Sequence, residues 1–388
     1  MNEKFKDKIS SALIICNKDS FESYTVAGLS IGERLLLSLY YGGIKKVSFI
    51  GNGKKPECSR INLEIVEPAE LKCETGNIFI CHNDLVFDNK LLKEQLNPDI
   101  LYPFKIQPSD TLDLNQITEN IDFSNHQVLS DYMFALRVND AETLKKAKTI
   151  LFRSLIKPID GFISKNVNRK FSLFITSGLI KTSLTPNQVT FFSMIIGMFS
   201  GIAAYFGGEY FWSLIIAGVL FQTQSMLDGC DGEIARLKYM FSLKGQWLDT
   251  ISDDLTNYIF FLGLGLGLSN FYNVNWLSIV TIIIVGLQIY SSLIMYQRIY
   301  KMNTGDLLAI PNMVTGGEPR GKIGKILRII HIMTKKDFFV FITSIFTIIQ
   351  LPVIAYILIG CGTLLMAPSL TINEIKIRKA IKNKTLKL

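Results

Sequence analysis

The sequence predicts a multi-domain chain. An N-terminal α/β, Rossmann-like domain occupies 1–150, an interfacial amphipathic segment 151–187, and a C-terminal all-α polytopic membrane domain with six transmembrane helices 188–388. Three observations carry this. Composition changes sharply near residue 150, from charge mixed with short apolar runs to long apolar stretches, and the mean hydropathy of the whole chain is positive. Short β-like runs alternate with helix-like ones in the first part. In the second part four aspartates stand at helical spacings inside sequence rich in Phe, Leu, Ile and Gly.

In the first part, β-like runs fall at 12–16, 46–51, 63–66 and 77–81, with helical segments at 32–41 and 140–155 between and after them. That alternation argues a doubly wound layer. The charged start over 1–8 is followed by no apolar core of the kind a signal peptide needs, so none is expected. The six cysteines, Cys16, Cys58, Cys73, Cys81, Cys230 and Cys361, show no CxxC or metal-finger spacing and read as reduced, buried thiols.

The segment after 150 is basic on one side and apolar on the other, with Lys157, Lys165 and Arg169 ahead of an apolar run over 171–180. It suits a helix lying in the membrane interface. Thr185-Pro186-Asn187-Gln188 then reads as a helix start: Thr as N-cap, Pro at the first helical position and Gln completing a capping box.

Six apolar stretches follow, at 188–207, 210–235, 245–268, 275–298, 337–351 and 353–370. The turns at 207–209 and 269–275 hold no Lys or Arg. The opposite segments hold many: Arg236, Lys238, Lys244, Arg298, Lys301, Arg320, Lys335, Lys336 and the tail over 376–387. The positive-inside rule therefore puts both termini and the aspartate-bearing helix ends on the cytoplasmic side of a cell membrane. The formal charge of +8 is explained by that topology and by anionic headgroups; no aromatic-and-basic pattern for nucleic acid is present.

The chemistry-bearing stretch is Asp228-x-x-Asp231-Gly232-x-x-Ala235-Arg236, then eight residues, then Gly245-x-x-x-Asp249-x-x-x-Asp253. An Asp at the centre of a lone membrane helix costs ~2.5–3.5 kcal/mol on the mildest insertion scale, so four need something that neutralises them. Carboxylate oxygens suit Mg²⁺ or Mn²⁺. Positions 228, 231 and 235 share one helix face, and 245, 249 and 253 form one stripe on the next helix. Gly232 and Ala235 keep the first face shallow. With a linker of only 237–244, the two helices are expected to be antiparallel neighbours gathering the carboxylates around one cavity. A set of intramembrane carboxylates can also serve an ion pathway.

This pattern resembles, at all eight positions, the signature of the CDP-alcohol phosphotransferase family. The resemblance implies an enzyme that moves a substituted phosphoryl group from a CDP-alcohol donor to the hydroxyl of a polar or phosphorylated alcohol acceptor, releasing CMP, in phospholipid or polyol-phosphate synthesis. It implies that Asp228, Asp231 and Asp249 hold metal against the diphosphate, and that Asp253 both binds metal and acts as the base. Gly232, Ala235, Arg236 and Gly245 are then substrate-site positions. Asn187, in a T-P-N sequence common in the family, is a candidate contact for the CDP moiety. A homodimer in the bilayer is implied as well. Arg320, His331, Lys335 and Lys336 are basic residues that could grip an acidic acceptor.

The N-terminal part, on Ala27-Gly28-Leu29-Ser30-Ile31-Gly32-Glu33-Arg34-Leu35 and His82-Asn83-Asp84, resembles a sugar-phosphate nucleotidyltransferase domain in which Asp84 stands at a metal-binding position. The alternative for Asp84 is an exposed loop Asp. The expected Gly-rich phosphate loop is replaced by Cys16-Asn17-Lys18-Asp19-Ser20, and the second carboxylate position reads Val138-Asn139-Asp140. A domain of this fold without turnover is expected. The combination with K-P-x-D-G at 157–161 is similar to bifunctional inositol-phosphate cytidylyltransferase/phosphotransferase proteins, which implies the alternative of an enzyme that makes and uses CDP-inositol.

Overall fold

The computed structural model describes residues 11–18, 20–67, 77–93, 103–105, 127–130, 133–156, 160–310 and 336–383. The positions 157–159 and Cys73, Arg320, His331 and Lys335 lie outside them. The chain divides into two compact units, Met1–Lys157 with Leu237–Tyr239, and Pro158–Arg236 with Met240–Leu388.

In the first unit, β1 (Ser11–Ile15) is the central strand, with all five residues buried. β2 (Thr25–Val26) and β3 (Leu29–Ser30) form a small antiparallel hairpin that leads into α1 (Ile31–Gly42). Ser30 caps that helix by accepting the amide of Glu33 at 3.1 Å. β4 (Lys46–Ile50) and β5 (Glu64–Ile65) follow, then β6 (Asn77–His82), β7 (Leu85–Phe87), the short α2 (Lys90–Lys93), β8 (Pro103–Lys105), β9 (Gln127–Ser130), β10 (Met133–Arg137) and α3 (Ala141–Arg153).

The main sheet runs β5-β4-β1-β6-β8, with β1 parallel to both β4 and β6 and β8 antiparallel at the edge. A second, antiparallel sheet runs β7-β10-β9. Ile14 pairs with Phe49 on one side and Cys81 on the other, and the strand is apolar from Ala12 to Ile15, as a parallel strand covered on both faces must be. Leu35, Leu36 and Leu39 of α1 close the core over Ala12, Val47 and Phe79.

The second unit is helical. A π-helical turn (Ser164–Asn168) runs into α4 (Arg169–Leu179). Then come α5 (Pro186–Tyr205), α6 (Phe211–Leu237), α7 (Leu243–Tyr272), α8 (Asn275–Lys301), α9 (Lys336–Ile348) and α10 (Pro352–Lys382). α5 starts as its sequence predicts: Thr185 and Gln188 form a reciprocal capping box with Pro186 in the first turn. Ser242 caps α7 by accepting the amide of Gly245 at 2.9 Å.

Two aromatic stacks run through the largely aliphatic core of this unit. Phe221 of α6 stacks on Phe260 of α7 with centroids 3.9 Å apart, and Phe261 stacks on Tyr356 of α10 at 4.9 Å. α5 and α7 approach backbone to backbone. A Cβ on Gly263 would stand 2.0 Å from the carbonyl oxygen of Gly201, and a Cβ on Gly201 2.6 Å from that of Ile259. Only glycine at both positions permits that separation. α8 and α10 are joined at one end by Arg298, whose guanidinium meets both oxygens of Glu374 at 3.0 and 2.5 Å.

Among the described residues, three helices are long and apolar enough to cross a membrane by length and composition: Pro186–Gly208, Asn275–Lys301 and Pro352–Lys382. The six-span expectation therefore finds three of its members on that measure. The other three stretches are helical too, but α6 and α7 carry the aspartates together with Glu233, Arg236 and Asp254. α9 has 13 residues, about 20 Å of helix against a hydrocarbon core of about 30 Å. The last helix also runs well past the expected end at 370. The cysteine expectation needs correcting: Cys16, Cys81 and Cys230 are buried, but Cys58 is half-buried and Cys361 exposed. Cys361 lies on the face of α10 that also exposes Leu364 and Leu365, so an apolar sequence context gave no burial within this chain.

Candidate active site in the helical unit

α6 presents two opposed stripes, and each meets a different partner. Gln224, Asp228, Asp231 and Ala235 follow one another at helical spacings on one side. From α7, Asp249 and Asp253 meet that side. One oxygen each of Asp228, Asp249 and Asp253 lies within 4.8 Å of the others, and all three residues are half-buried. Oxygens across a divalent cation are about 4–5 Å apart, given ligand distances of about 2.0–2.6 Å. The spacing and the all-carboxylate donor set therefore fit a hard cation such as Mg²⁺ or Mn²⁺. Gln224 donates to Oδ1 of Asp253 at 3.4 Å.

Asp231 is brought close by the sequence spacing yet engaged differently. It is 6% exposed; the hydroxyl of Thr190 on α5 donates to Oδ2 and the amide of Gly232 to Oδ1. Beside it, a Cβ built on Gly232 would meet nothing within 4 Å, so the face is open at that residue. Ala235 and Arg236 are half-buried, and Nε of Arg236 donates to the carbonyl of Gly232 at 3.0 Å, laying the side chain back along the helix. Gly245 on the first turn of α7 has a close neighbour: a Cβ there would stand 3.0 Å from Oδ1 of Asn187 and 2.8 Å from Oγ of Ser242. Asn187 of α5 and Gly245 of α7, apart in sequence, are thus adjacent.

The opposite stripe of α6 is clasped by the segment before α5. Asn168 accepts from Gln222 at 2.8 Å and donates to Ser225 at 3.3 Å. Below it, Glu233 is fully buried, taking Nη1 of Arg169 at 2.7 Å and the hydroxyls of Ser172 and Thr176 at 2.6 Å each. Arg169 also donates to Asp160 at 3.0 Å. The same segment is tied to α9, because the amide of Ser164 donates to Asp337 at 2.8 Å. Gly161 is what that contact requires: a Cβ there would lie 2.2 Å from Oδ2 of Asp337.

Glu233, Thr190 and Gln224 were not singled out from sequence. Glu233 had a visible signal, a third carboxylate on α6 outside the spaced aspartate pattern, which demands a partner in an apolar setting. Thr190 and Gln224 had none, since a Thr and a Gln in a helix have many ordinary uses.

In the first unit, Asp84 is 2% exposed and held by both Nε and Nη2 of Arg137 at 2.9 and 3.1 Å. It is therefore not an exposed loop residue, and its charge is already met by a forked guanidinium. Asp140 caps α3, accepting the amide of Thr143 at 2.7 Å.

Residues 183–366 match the CDP-alcohol phosphatidyltransferase family. The helical region carries that family's domain. Among curated proteins, the bifunctional IPC transferase and DIPP synthase of Aquifex aeolicus is 40% identical over 136 residues, 35% of this chain and 30% of the relative. The protein of the same description from Archaeoglobus fulgidus is 39% identical over 124 residues, 32% of this chain and 24% of the relative. The archaetidylinositol phosphate synthase of Pyrococcus horikoshii is 29% identical over 89 residues, 23% of this chain and 45% of that protein. The matched stretch thus spans less than a third of the first two relatives' own length. A crystal structure of Mycobacterium tuberculosis phosphatidylinositol phosphate synthase with CDP-DAG bound aligns over 53% of this chain and 91% of its own, at 17% identity and a TM-score of 0.36.

Proposed function

We propose that this chain is an integral membrane CDP-alcohol phosphotransferase, moving a substituted phosphoryl group from a CDP-alcohol to an acceptor hydroxyl with release of CMP. The observation that carries the reading is the meeting of Asp228, Asp249 and Asp253 within 4.8 Å beside the open face at Gly232. A bound Mg²⁺ or Mn²⁺ would neutralise charge developing on the diphosphate leaving group. Asp228, Asp231 and Asp249 hold it against the donor. Asp253 shares in that and takes the proton of the acceptor hydroxyl, which needs a carboxylate within hydrogen-bond reach. Gln224 keeps one oxygen of Asp253 occupied and so orients the other. The donor's nucleotide lies along Gly232 and Ala235, where no side chain bulk intrudes, with Asn187, Arg236 and Gly245 at its borders.

The further parts of the reading are proposals of the same kind. All six long stretches of the second unit cross or enter the bilayer, with the basic helix ends, both termini and the α/β domain on the cytoplasmic side. α4 lies in the interface, where exposed Phe171 and Phe174 suit lipid. The domains run 1–150, 151–187 and 188–388, and the protein is a homodimer. The α/β domain keeps a nucleotidyltransferase fold without turnover, a view supported by the engagement of Asp84 by Arg137. A second reading, an enzyme that both makes and uses CDP-inositol, is supported by the similarity to the bifunctional IPC transferase and DIPP synthase proteins.

The test is CMP release by the purified protein with Mg²⁺ or Mn²⁺. Donors would include CDP-diacylglycerol and CDP-inositol, and acceptors inositol phosphate and glycerol phosphate. Metal-dependent release with one pair names donor and acceptor together. Ion flux in liposomes with no CMP from any pair would overturn the reading in favour of an ion pathway. Pyrophosphate release from CTP and inositol phosphate would favour the second reading.

A further inference from the structure

Thr190 lies one turn beyond Asn187 on α5 and is 1% exposed. Its hydroxyl donates to Oδ2 of Asp231, and it also sits 3.2 Å from the carbonyl of Pro186. One hydroxyl proton serves one of these two acceptors. An ionised carboxylate forms the stronger bond, about twice that of a neutral carbonyl, so the proton goes to Asp231.

The terminal torsion of an Asp is broad, with no steep well to hold the carboxylate plane. Here the plane has two fixed donors, Thr190 on one oxygen and the amide of Gly232 on the other. An ionised carboxylate offers about four lone-pair sites. Two donors leave about two sites, one on each oxygen, with directions already set.

We propose that Thr190 is a positioning residue for Asp231. It fixes the rotation of that carboxylate so that its remaining lone pairs face the cation shared with the opposing aspartates. This inference rests on the metal-dependent transfer reading above. It assigns the start of α5 a part in the metal site that the aspartate signature, confined to α6 and α7, does not contain. Asn187 and Thr190 stand three apart, so one turn of α5 reaches Gly245 on α7 and Asp231 on α6.

The experiment is Mn²⁺ titration of the full chain, purified in detergent, with free Mn²⁺ read by electron paramagnetic resonance. The Mn²⁺ dependence of CMP release is measured beside it. Thr190→Val keeps shape and removes the donor; Thr190→Ser keeps the donor; Thr190→Cys leaves a weak one. Loss of an orienting partner costs roughly 10–100-fold in metal affinity. The expected result is Mn²⁺ binding weakened by that range in the Val variant, intermediate in Cys and near wild type in Ser. The half-activating Mn²⁺ concentration should move in the same order. A Val variant that binds Mn²⁺ as tightly as wild type overturns the inference. If the Val variant does not fold, equal binding by the Cys and Ser variants overturns it. Wild-type protein that binds no Mn²⁺ overturns the functional reading itself, a different outcome from either of these.

Discussion

Arg169 reaches Glu233 at 2.7 Å with 13% of its side chain exposed and none of the partner's. A carboxylate that dry is tolerable only with its charge met and its lone pairs filled, and Ser172 and Thr176 fill them. Burial alone would depress the basicity of Arg169, but its bonds to Asp160 and Glu233 outweigh that and hold it above the ordinary arginine value. The guanidinium is a fixed cation.

Arg169→Ala should therefore destabilise the helical unit by about 3–5 kcal/mol, because it strands a buried carboxylate. Thermal unfolding in detergent reads the loss. Adding Glu233→Gln to that variant should recover part of it. Two losses that simply sum would mean the pair is not coupled.

Gly161→Ala should cost about 1–3 kcal/mol, the range for forcing atoms into filled space. The methyl would displace the Asp337 carboxylate from the amide of Ser164. Asp337→Ala in the same background should recover part of the loss, because the obstruction is gone. Unchanged stability in Gly161→Ala would show that the segment moves aside freely.

Asp253→Asn should abolish CMP release while leaving the melting temperature close to that of wild type. The amide keeps the shape and a hydrogen bond to Gln224 but takes no proton. Wild-type turnover in that variant would remove Asp253 from the role of base.

The α/β unit should lose stability in mild acid through His82. Burial, aided by the nearby Arg137 and opposed by Asp84, pushes its imidazole down to about 4. In the unfolded chain it titrates near 6.5. Above that value both states are neutral and His82 costs nothing. Below it the unfolded state binds a proton that the folded state refuses, so stability falls as pH drops from about 6.5 toward 4. Hydrogen exchange of peptides covering β1 and β6, corrected for the intrinsic rate at each pH, should show protection fading over that window. His82→Gln should flatten the change.

Much of this was legible in the residues. The four strands and two helices expected in the first unit lie close to where alternating apolar runs put them, whereas β2, β3, β7 to β10 and α2 were not expected, and α5 begins at its capping box. The signature spacing brought three aspartates together because i, i+4 repeats on neighbouring helices leave little freedom. What stayed hidden depends on a third partner. Thr190 and Arg169 act across helices that no local period relates. The number of membrane-crossing helices was hard to read for a related reason. The carboxylates that make α6 and α7 chemically interesting also lower the hydropathy by which a span is recognised.

The glycine contact between α5 and α7 bears on motion. With the carbonyl of Gly201 filling the space where residue 263 would carry a side chain, the two helices meet main chain to main chain with no side chain between them to yield. Asn187 and Thr190 ride on one of these rods, and Gly245, Asp249 and Asp253 on the other. If the chain turns over as proposed, admitting a donor and expelling CMP, the movement is expected from elsewhere in the helical unit, with these two helices keeping their contact.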